Sequence, residues 1–200
     1  GQTRRASLFK GDEGGLRTRR KAVSARIGEE RAHGRRSRRG RCSVPTPCDV
    51  CCAGAVRAAG KSLMALGLEV GQNTCILGFN RPEWTIFDLA TMTAGGACAG
   101  IYTTNSPEEV AYIVNHAEAR LLLLEDAGQW AKVEGQLDQL PTLSHVVMMR
   151  GAGEIDNDKV LSWEAFMALG PQGDDSVVDE RLAGLEPDQL AALIYTSGTT

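Results

Sequence analysis

Short apolar runs alternate with amphipathic stretches through the middle of the chain, and this alternation limits the possible folds most. Four runs have the length of strands, at residues 74–79, 97–102, 120–124 and 145–149. Apolar residues between them recur every three or four positions, which is the period of a helix with one buried face. Strands that alternate with helices pair in parallel, and the helices cover the sheet. The sequence therefore predicts an α/β fold with a doubly wound, mostly parallel sheet and flanking helices.

Helix start and stop signals set the expected boundaries. Ser106, Pro107 and Glu109 form a capping box with proline at the first helical position, and Asp126 with Gln129 forms a second candidate box. We interpret Asp126 as a cap, and residues 102–105 as a turn. The other expected segments are a helix over 53–66, a core helix over 83–94, a helix from 130 to 140, a helix over 162–169 and an acidic loop over 170–178.

The last eleven residues, LAALIYTSGTT, join an apolar run to a turn rich in hydroxyl groups. Residues 190–195 suit a strand that is buried on both faces of a parallel sheet. The next five residues would then lie at the carboxyl end of that strand, where open α/β sheets bind ligands. Glycine lets the backbone approach a ligand closely, and successive N–H groups bind anions. The turn therefore suits a phosphate, but composition alone favours an ordinary polar turn, because Ser, Thr and Gly are common turn residues.

Charge is divided unevenly along the chain. Residues 1–41 carry a net charge of +10 and residues 42–200 carry −13, which together give the overall −3. Five arginines occupy the seven positions 35–41, and residues 1–52 show no helical or strand period. Such a segment buries too little apolar area to fold, so we expect residues 1–52 to be disordered. Two other interpretations are open: a tether to nucleic acid or to an anionic membrane, and a segment that is not native coding sequence. We favour the last.

Cysteines and histidines give no strong site. Cys75 and Cys98 lie in apolar runs and are expected to be buried, while Cys48 and Cys51 have the spacing of a zinc half-site without a second pair. His116 and His145 have no Cys or acidic partner at ligand spacing, so we interpret both as ordinary residues. No apolar run reaches the length of a membrane span, and no secretory signal peptide is recognised.

Five stretches agree in order with one family. They are RAAGKSLMALGL (57–68), ILGFNRPEW (76–84), GIYTTNSPEEVAYIVNHAEARLLLLED (100–126), LSWEAFMALG (161–170) and LIYTSGTT (193–200). The chain resembles the N-terminal part of long-chain acyl-CoA synthetases, most closely the bubblegum type, within the AMP-forming adenylate synthetases. The resemblance covers about residues 54–200 and does not extend to residues 1–52. It implies that residues 53–200 are an incomplete N-terminal α/β domain of such an enzyme.

The resemblance also implies a reaction and its participants. A fatty acid, ATP and coenzyme A would give acyl-CoA, AMP and diphosphate through an acyl-adenylate, with Mg²⁺ on the phosphates. Residues matching the family's phosphate loop position by position are Thr196, Ser197, Gly198, Thr199 and Thr200. Catalytic residues would lie beyond residue 200, so the chain is interpreted as a fragment that is inactive by itself.

Location and alternative functions are two further expectations. Because nothing in the sequence demands disulfides, we expect a cytoplasmic location, with peripheral association with an internal membrane as an alternative. The open functional alternatives are a ligase for another carboxylic acid, such as an aryl or amino acid, and a nucleic-acid-binding protein that uses the arginine arm. An affinity for nucleic acid that falls steeply as the salt concentration rises would identify the nucleic-acid-binding alternative.

Overall fold

The computed structural model describes residues 49–172 and 174–196, with only the backbone of Asp49, Val50 and Cys51. The helices are α1 (Asp49–Ala65), α2 (Pro82–Thr93), α3 (Pro107–His116), α4 (Ala127–Glu134), α5 (Trp163–Leu169) and α6 (Asp175–Ala183). The strands are β1 (Asn73–Leu77), β2 (Ala97–Ile101), β3 (Ala119–Leu124), β4 (His145–Met148), β5 (Val160–Ser162) and β6 (Ala192–Leu193). Two 3₁₀ turns lie at Leu137–Gln139 and Gly170–Gln172.

All six strands form one parallel sheet in the order β5-β4-β3-β1-β2-β6. The chain moves from β1 outward to β2 and then crosses back over β1 to β3. This reversal defines a doubly wound sheet, and it places a topological switch point between β1 and β3. The predicted fold class is confirmed.

Two hydrophobic cores lie on opposite faces of the sheet. Strand side chains alternate between them, because successive residues of a strand point to opposite faces. On β3, Leu122 and Leu124 join the core under α3 and α4, while Leu121 and Leu123 join the core under α1, α2 and α5. All four leucines are fully buried. Burial on both faces explains why this strand reads as a continuous apolar run.

The predicted side-chain caps form at two helices, α3 and α4. Ser106 Oγ accepts a hydrogen bond from the Glu109 N–H at 3.3 Å, and Glu109 Oε2 accepts one from the Ser106 N–H at 2.9 Å. Asp126 caps α4 by accepting from the Gln129 N–H at 2.9 Å. The reciprocal half of that second box does not form, because Gln129 Oε1 is buried without a hydrogen-bond partner. Pro82 opens α2 without a side-chain cap.

Four boundary expectations need correction. The acidic loop expected at 170–178 is a 3₁₀ turn followed by α6, which Asp174 caps. Contacts to α1 hold α6, since Lys61 Nζ and Asp175 Oδ1 are 2.7 Å apart. The helix expected to reach residue 140 ends at Glu134, and its apolar period continues through the 3₁₀ turn. The first helix starts at Asp49, four residues before the expected position, and β5 was not predicted.

The expected environment of the last strand was also wrong. The run at 190–195 forms only a two-residue strand, and it pairs with β2 alone. It lies at the edge of the sheet, and the side chain of Ile194 is 84% exposed. Parallel pairing is as predicted, but burial on both faces is not.

Candidate functional site

The carboxyl ends of β1, β2 and β6 surround an open crevice. Because these strands are parallel neighbours, the residues that follow them meet at one edge of the sheet. A cavity of about 420 Å³ lies between the turns after β1 and β2, lined by Gly78, Phe79, Asn80, Ile101, Tyr102 and Thr103. A second cavity of about 400 Å³ continues from it towards β6 and α2. The crevice therefore reaches the carboxyl ends of β1, β2 and β6.

Exposed apolar side chains rim the crevice. Phe79 is 67% exposed and Tyr102 is 69% exposed, and Ile194 on the third strand end is similarly open. Gly78 permits the close approach of β1 to β3, because a Cβ there would lie 2.8 Å from Glu125 Cβ and 3.1 Å from Met149 Cε. Any side chain at this position would push the strand ends apart.

One side chain from a neighbouring element fixes the chain at each of the three strand ends. Glu125 Oε2 accepts a hydrogen bond from the Phe79 N–H at 2.8 Å after β1. Lys132 Nζ donates to the carbonyl oxygens of Thr103 at 2.6 Å and Asn105 at 3.0 Å after β2. The crevice is consequently framed by loops whose backbones are fixed before any ligand binds.

The third contact holds the chain after β6. His116 Nδ1 at the end of α3 and the Tyr195 hydroxyl are 2.9 Å apart. The two rings meet edge to face with centroids 5.6 Å apart, and Tyr112 stacks on the other side of the imidazole. Burial raises the pKa of Tyr195 to about 12, with the Cys75 thiol adding to the shift. The phenol therefore keeps its proton at neutral pH.

Helix α2 supplies one wall of the second cavity. Trp84, Asp88 and Met92 repeat every four residues and face Cys98 of β2. Burial raises the pKa of the Asp88 carboxyl, and a hydrogen bond to Cys98 opposes this. Burial also raises the pKa of Cys98 to about 12, so its thiol stays protonated and unreactive. Cys75 and Cys98 are buried as expected.

A cluster of charged groups lies at the first turn of α2. Glu83 is 3% exposed. Its Oε2 lies 3.6 Å from Arg81 Nε, and its Oε1 lies 3.6 Å from Arg150 Nη1. Arg150 Nε also donates to Glu164 Oε1 at 3.1 Å, which connects the chain after β4 to α5. The burial of Glu83 was not predicted from the sequence, because the apolar residues on either side of it were the only indication.

Most of the predicted phosphate loop lies outside the described residues. Thr196 is exposed and lies three residues after the end of β6, whereas Ser197, Gly198, Thr199 and Thr200 are not described. The arginine arm lies outside as well, and so do Cys48 and the side chain of Cys51. Among residues 49–172 and 174–196, no group of three or more His, Cys, Asp or Glu side chains is placed to hold a metal ion.

The side chains that fix the crevice were not predicted as site residues. His116 was interpreted as ordinary, although it contacts the residue just before the loop. Its distance of 79 residues from Tyr195 explains this, because no local pattern joins α3 to β6. Within the described part of the chain, no helix is long and apolar enough to cross a membrane.

An open parallel sheet with a crevice at its carboxyl edge is the arrangement that α/β proteins use to bind nucleotides. Comparison with known families agrees with this class of protein. The AMP-binding enzyme family matches residues 53–200, and the chain belongs to that family.

The curated relatives are longer proteins. The long-chain-fatty-acid–CoA ligase ACSBG2 of Homo sapiens is 40% identical over 147 residues, covering 73% of this chain and 22% of the relative. ACSBG2 of Xenopus laevis is 39% identical over 144 residues, covering 72% of this chain and 20% of the relative. The chain thus spans about a fifth of the length of these relatives.

Solved structures share the fold. The anthranilate CoA ligase AuaEII, in complex with anthranoyl-AMP, aligns with a TM-score of 0.60 and 25% identity, covering 74% of this chain and 27% of the ligase. An acetoacetyl-CoA synthetase from Streptomyces lividans aligns with a TM-score of 0.58 and 23% identity, covering 74% of this chain and 23% of the synthetase. The second likeness supports the fold alone.

Proposed function

We propose that this chain is the N-terminal, phosphate-binding part of an ATP-dependent long-chain fatty acid–CoA ligase. The observation that carries the proposal is the family match, which extends from residue 53 through the sheet to residue 200 and so includes the hydroxyl-rich loop. The proposal is supported by Tyr195, the residue before that loop, which lines the crevice at the carboxyl edge of the sheet. Residues 53–200 would form an incomplete α/β domain of the enzyme, preceded by the basic segment 1–52.

The proposed reaction has two steps. A carboxylate oxygen of the fatty acid attacks the α-phosphorus of ATP, and the bond to the bridging oxygen breaks, which gives an acyl-adenylate and diphosphate. The sulfur of coenzyme A then attacks the acyl carbon, the thiol proton is lost, and AMP leaves. This chain would hold the β- and γ-phosphates through Thr196, Ser197, Gly198, Thr199 and Thr200. Fixed donors of this kind accelerate phosphate chemistry by positioning it and stabilising charge.

Magnesium would enter with the nucleotide. Mg²⁺ retains water ligands and binds mainly phosphate oxygens in such sites, so it does not require a cage of protein carboxylates. The described residues offer no such cage, and we assign no Mg²⁺ ligand to this chain. We likewise assign no catalytic residue within residues 1–200, and we expect the chain by itself to be inactive as a ligase.

We also propose a cytoplasmic location for the enzyme, with peripheral association with an internal membrane as the alternative. Cys52, Cys75 and Cys98 carry free thiols, which suits a reducing compartment.

Nucleotide selectivity tests the phosphate loop directly. Binding of MgATP, diphosphate and AMP to the 200-residue chain would be measured by isothermal titration calorimetry. A loop for the β- and γ-phosphates should bind MgATP and diphosphate in competition and AMP much more weakly. Gly198→Val should abolish binding, because a branched side chain blocks the close backbone approach. Thr104→Ala, which removes an exposed hydroxyl from the turn after β2, is the matched control.

Two results would contradict the loop assignment. If AMP and MgATP bound with equal affinity, the chain would recognise the nucleoside and not the terminal phosphates. Full MgATP affinity in Gly198→Val would move the nucleotide away from this loop.

The class of carboxylic acid that the enzyme activates is tested in a chimaeric protein. Residues 53–200 would replace the matching stretch of human ACSBG2, and acid-dependent diphosphate release would be measured with octanoate, palmitate, tetracosanoate and anthranilate. We expect the long-chain acids to be preferred, as the names of the relatives suggest. Preference for anthranilate would favour the aryl alternative, to which the 25%-identical ligase structure points.

A further inference from the structure

The path by which the chain enters the proposed phosphate loop depends on few contacts. Strand β6 contributes two residues to the sheet, and its two pairs are both to β2, namely Cys98 with Ala192 and Ala99 with Leu193. The next residue, Ile194, is almost fully exposed and adds little packing. Tyr195 follows Ile194 and is the last residue before Thr196. Its side chain therefore has a large influence on where the loop begins.

Tyr195 is attached to the body of the domain through its ring and its hydroxyl. The ring packs against the core beneath α3 and α4. The hydroxyl lies 2.9 Å from His116 Nδ1, and it donates the proton when the imidazole is neutral with its own hydrogen on Nε2. No other hydrogen bond of Tyr195 is found among residues 49–172 and 174–196.

His116 is itself held firmly. It is the last residue of α3, whose first turn is fixed by the Ser106–Glu109 capping box. Tyr112, one turn earlier on the same helix, stacks on the imidazole with centroids 5.6 Å apart and planes at 29°. The end of α3 therefore provides the support to which Tyr195 is attached.

We propose that His116 is a positioning residue for the loop that begins at Thr196, because its hydrogen bond to Tyr195 fixes the direction in which the chain leaves β6. His116 touches no substrate in this arrangement and acts only through Tyr195. It plays the same part for β6 that Glu125 and Lys132 play for β1 and β2. The expected effect on ATP affinity rests on the proposed function, whereas the positioning of the backbone does not.

Four variants of the 200-residue chain separate this role from simple packing. Tyr195→Phe removes the hydroxyl and keeps the ring. His116→Leu removes the acceptor, and His116→Asn keeps a polar atom close to the position of Nδ1. Tyr112→Phe is the matched control. It removes a tyrosine hydroxyl beside the same imidazole, and this Tyr112 hydroxyl has no hydrogen bond to a described residue.

The first measurement does not involve a ligand. Residue-resolved amide exchange of Leu193 to Thr196 would be followed by NMR, with amides of β3 as an internal reference. Tyr195→Phe and His116→Leu should each accelerate exchange at Leu193 to Thr196 several-fold, without a change in β3. His116→Asn should restore most of the protection, and Tyr112→Phe should resemble the wild type.

The second measurement is the affinity for MgATP. Loss of one hydrogen bond predicts a rise in the dissociation constant of about 2- to 10-fold in Tyr195→Phe and in His116→Leu. The double variant should be no weaker than either single variant, because both changes break the same contact.

The two proposals fail in different ways. A wild-type chain that does not bind MgATP contradicts the phosphate-loop assignment, while amide exchange still decides the role of His116. Unchanged exchange in Tyr195→Phe and His116→Leu overturns the positioning role. So does an equal acceleration in β3, which would mean general destabilisation, or an Asn variant that behaves like the Leu variant.

Discussion

At the scale of single residues, two neighbouring acids at one strand end have different structural roles. Asp126 caps α4, and Glu125 fixes the turn after β1 by accepting from the Phe79 N–H. The sequence pattern identified the first role, since a cap and its partner are three residues apart. It gave no indication of the second, because Phe79 is 46 positions away.

His145 should make stability depend on pH. Burial lowers its pKa, and the cations Arg120 and Lys159 lower it further. The unfolded chain, with a histidine pKa of about 6.5, then binds the proton more tightly than the folded chain does. Stability from this residue is complete above about pH 6.5 and is lost as the pH falls through the lowered pKa of the folded state.

Urea unfolding at pH 7.5 and pH 5.5 would check this. We expect the unfolding free energy of the wild type to fall on acidification by more than that of His145→Gln, which cannot titrate. The other histidines and the acids are present in both proteins, so their effects cancel in the difference. Equal pH dependence in the two proteins would contradict the assignment.

At the scale of elements, helix boundaries followed local chemistry while strand burial did not. The capping signals at Ser106 and Asp126 both place helices correctly. The apolar run at 190–195 resembles a central strand, yet it lies at an edge with one neighbour. Periodicity cannot distinguish the two positions, because both neighbours of a strand come from distant parts of the chain.

Removal of the Ser106 cap should cost measurable stability. Ser106→Ala leaves the Glu109 N–H without its side-chain acceptor, and such changes typically lower the unfolding free energy by about 0.5–2 kcal/mol. Thr104→Ala, two residues earlier in the exposed turn, should change it by less than about 0.5 kcal/mol. Chemical denaturation at neutral pH would compare them, and similar losses in the two variants would contradict a capping role.

At the scale of the whole molecule, the sheet separates two cores that are each covered by helices from different parts of the chain. Phe166 of α5 is fully buried in one of them, with its ring 5.8 Å from Phe87 of α2 and 5.5 Å from Trp163. This cluster joins α5 to α2, which are distant along the chain.

Phe166→Ala should be far more damaging than the same change at the crevice. Loss of a buried phenylalanine typically lowers the unfolding free energy by about 3–5 kcal/mol, because a cavity remains. Phe79→Ala removes the same atoms from a ring that is 67% exposed, and it should cost much less. Thermal and urea unfolding of both variants would test this, and equal losses would show that Phe166 does not support a shared core.

The sequence by itself determined the fold class, the order of the first four strands with the helices between them, and two helix caps, while the position of the phosphate loop stays a prediction. These depend on short-range periodicity, on capping chemistry and on a contiguous motif, all of which are local. Only the tertiary structure decided that β6 is an edge strand, that residues 175–183 form a helix against α1, and that Glu125, Lys132 and His116 fix the three loops around the crevice. Each of these depends on partners that are distant along the chain and become neighbours only when the parallel sheet forms.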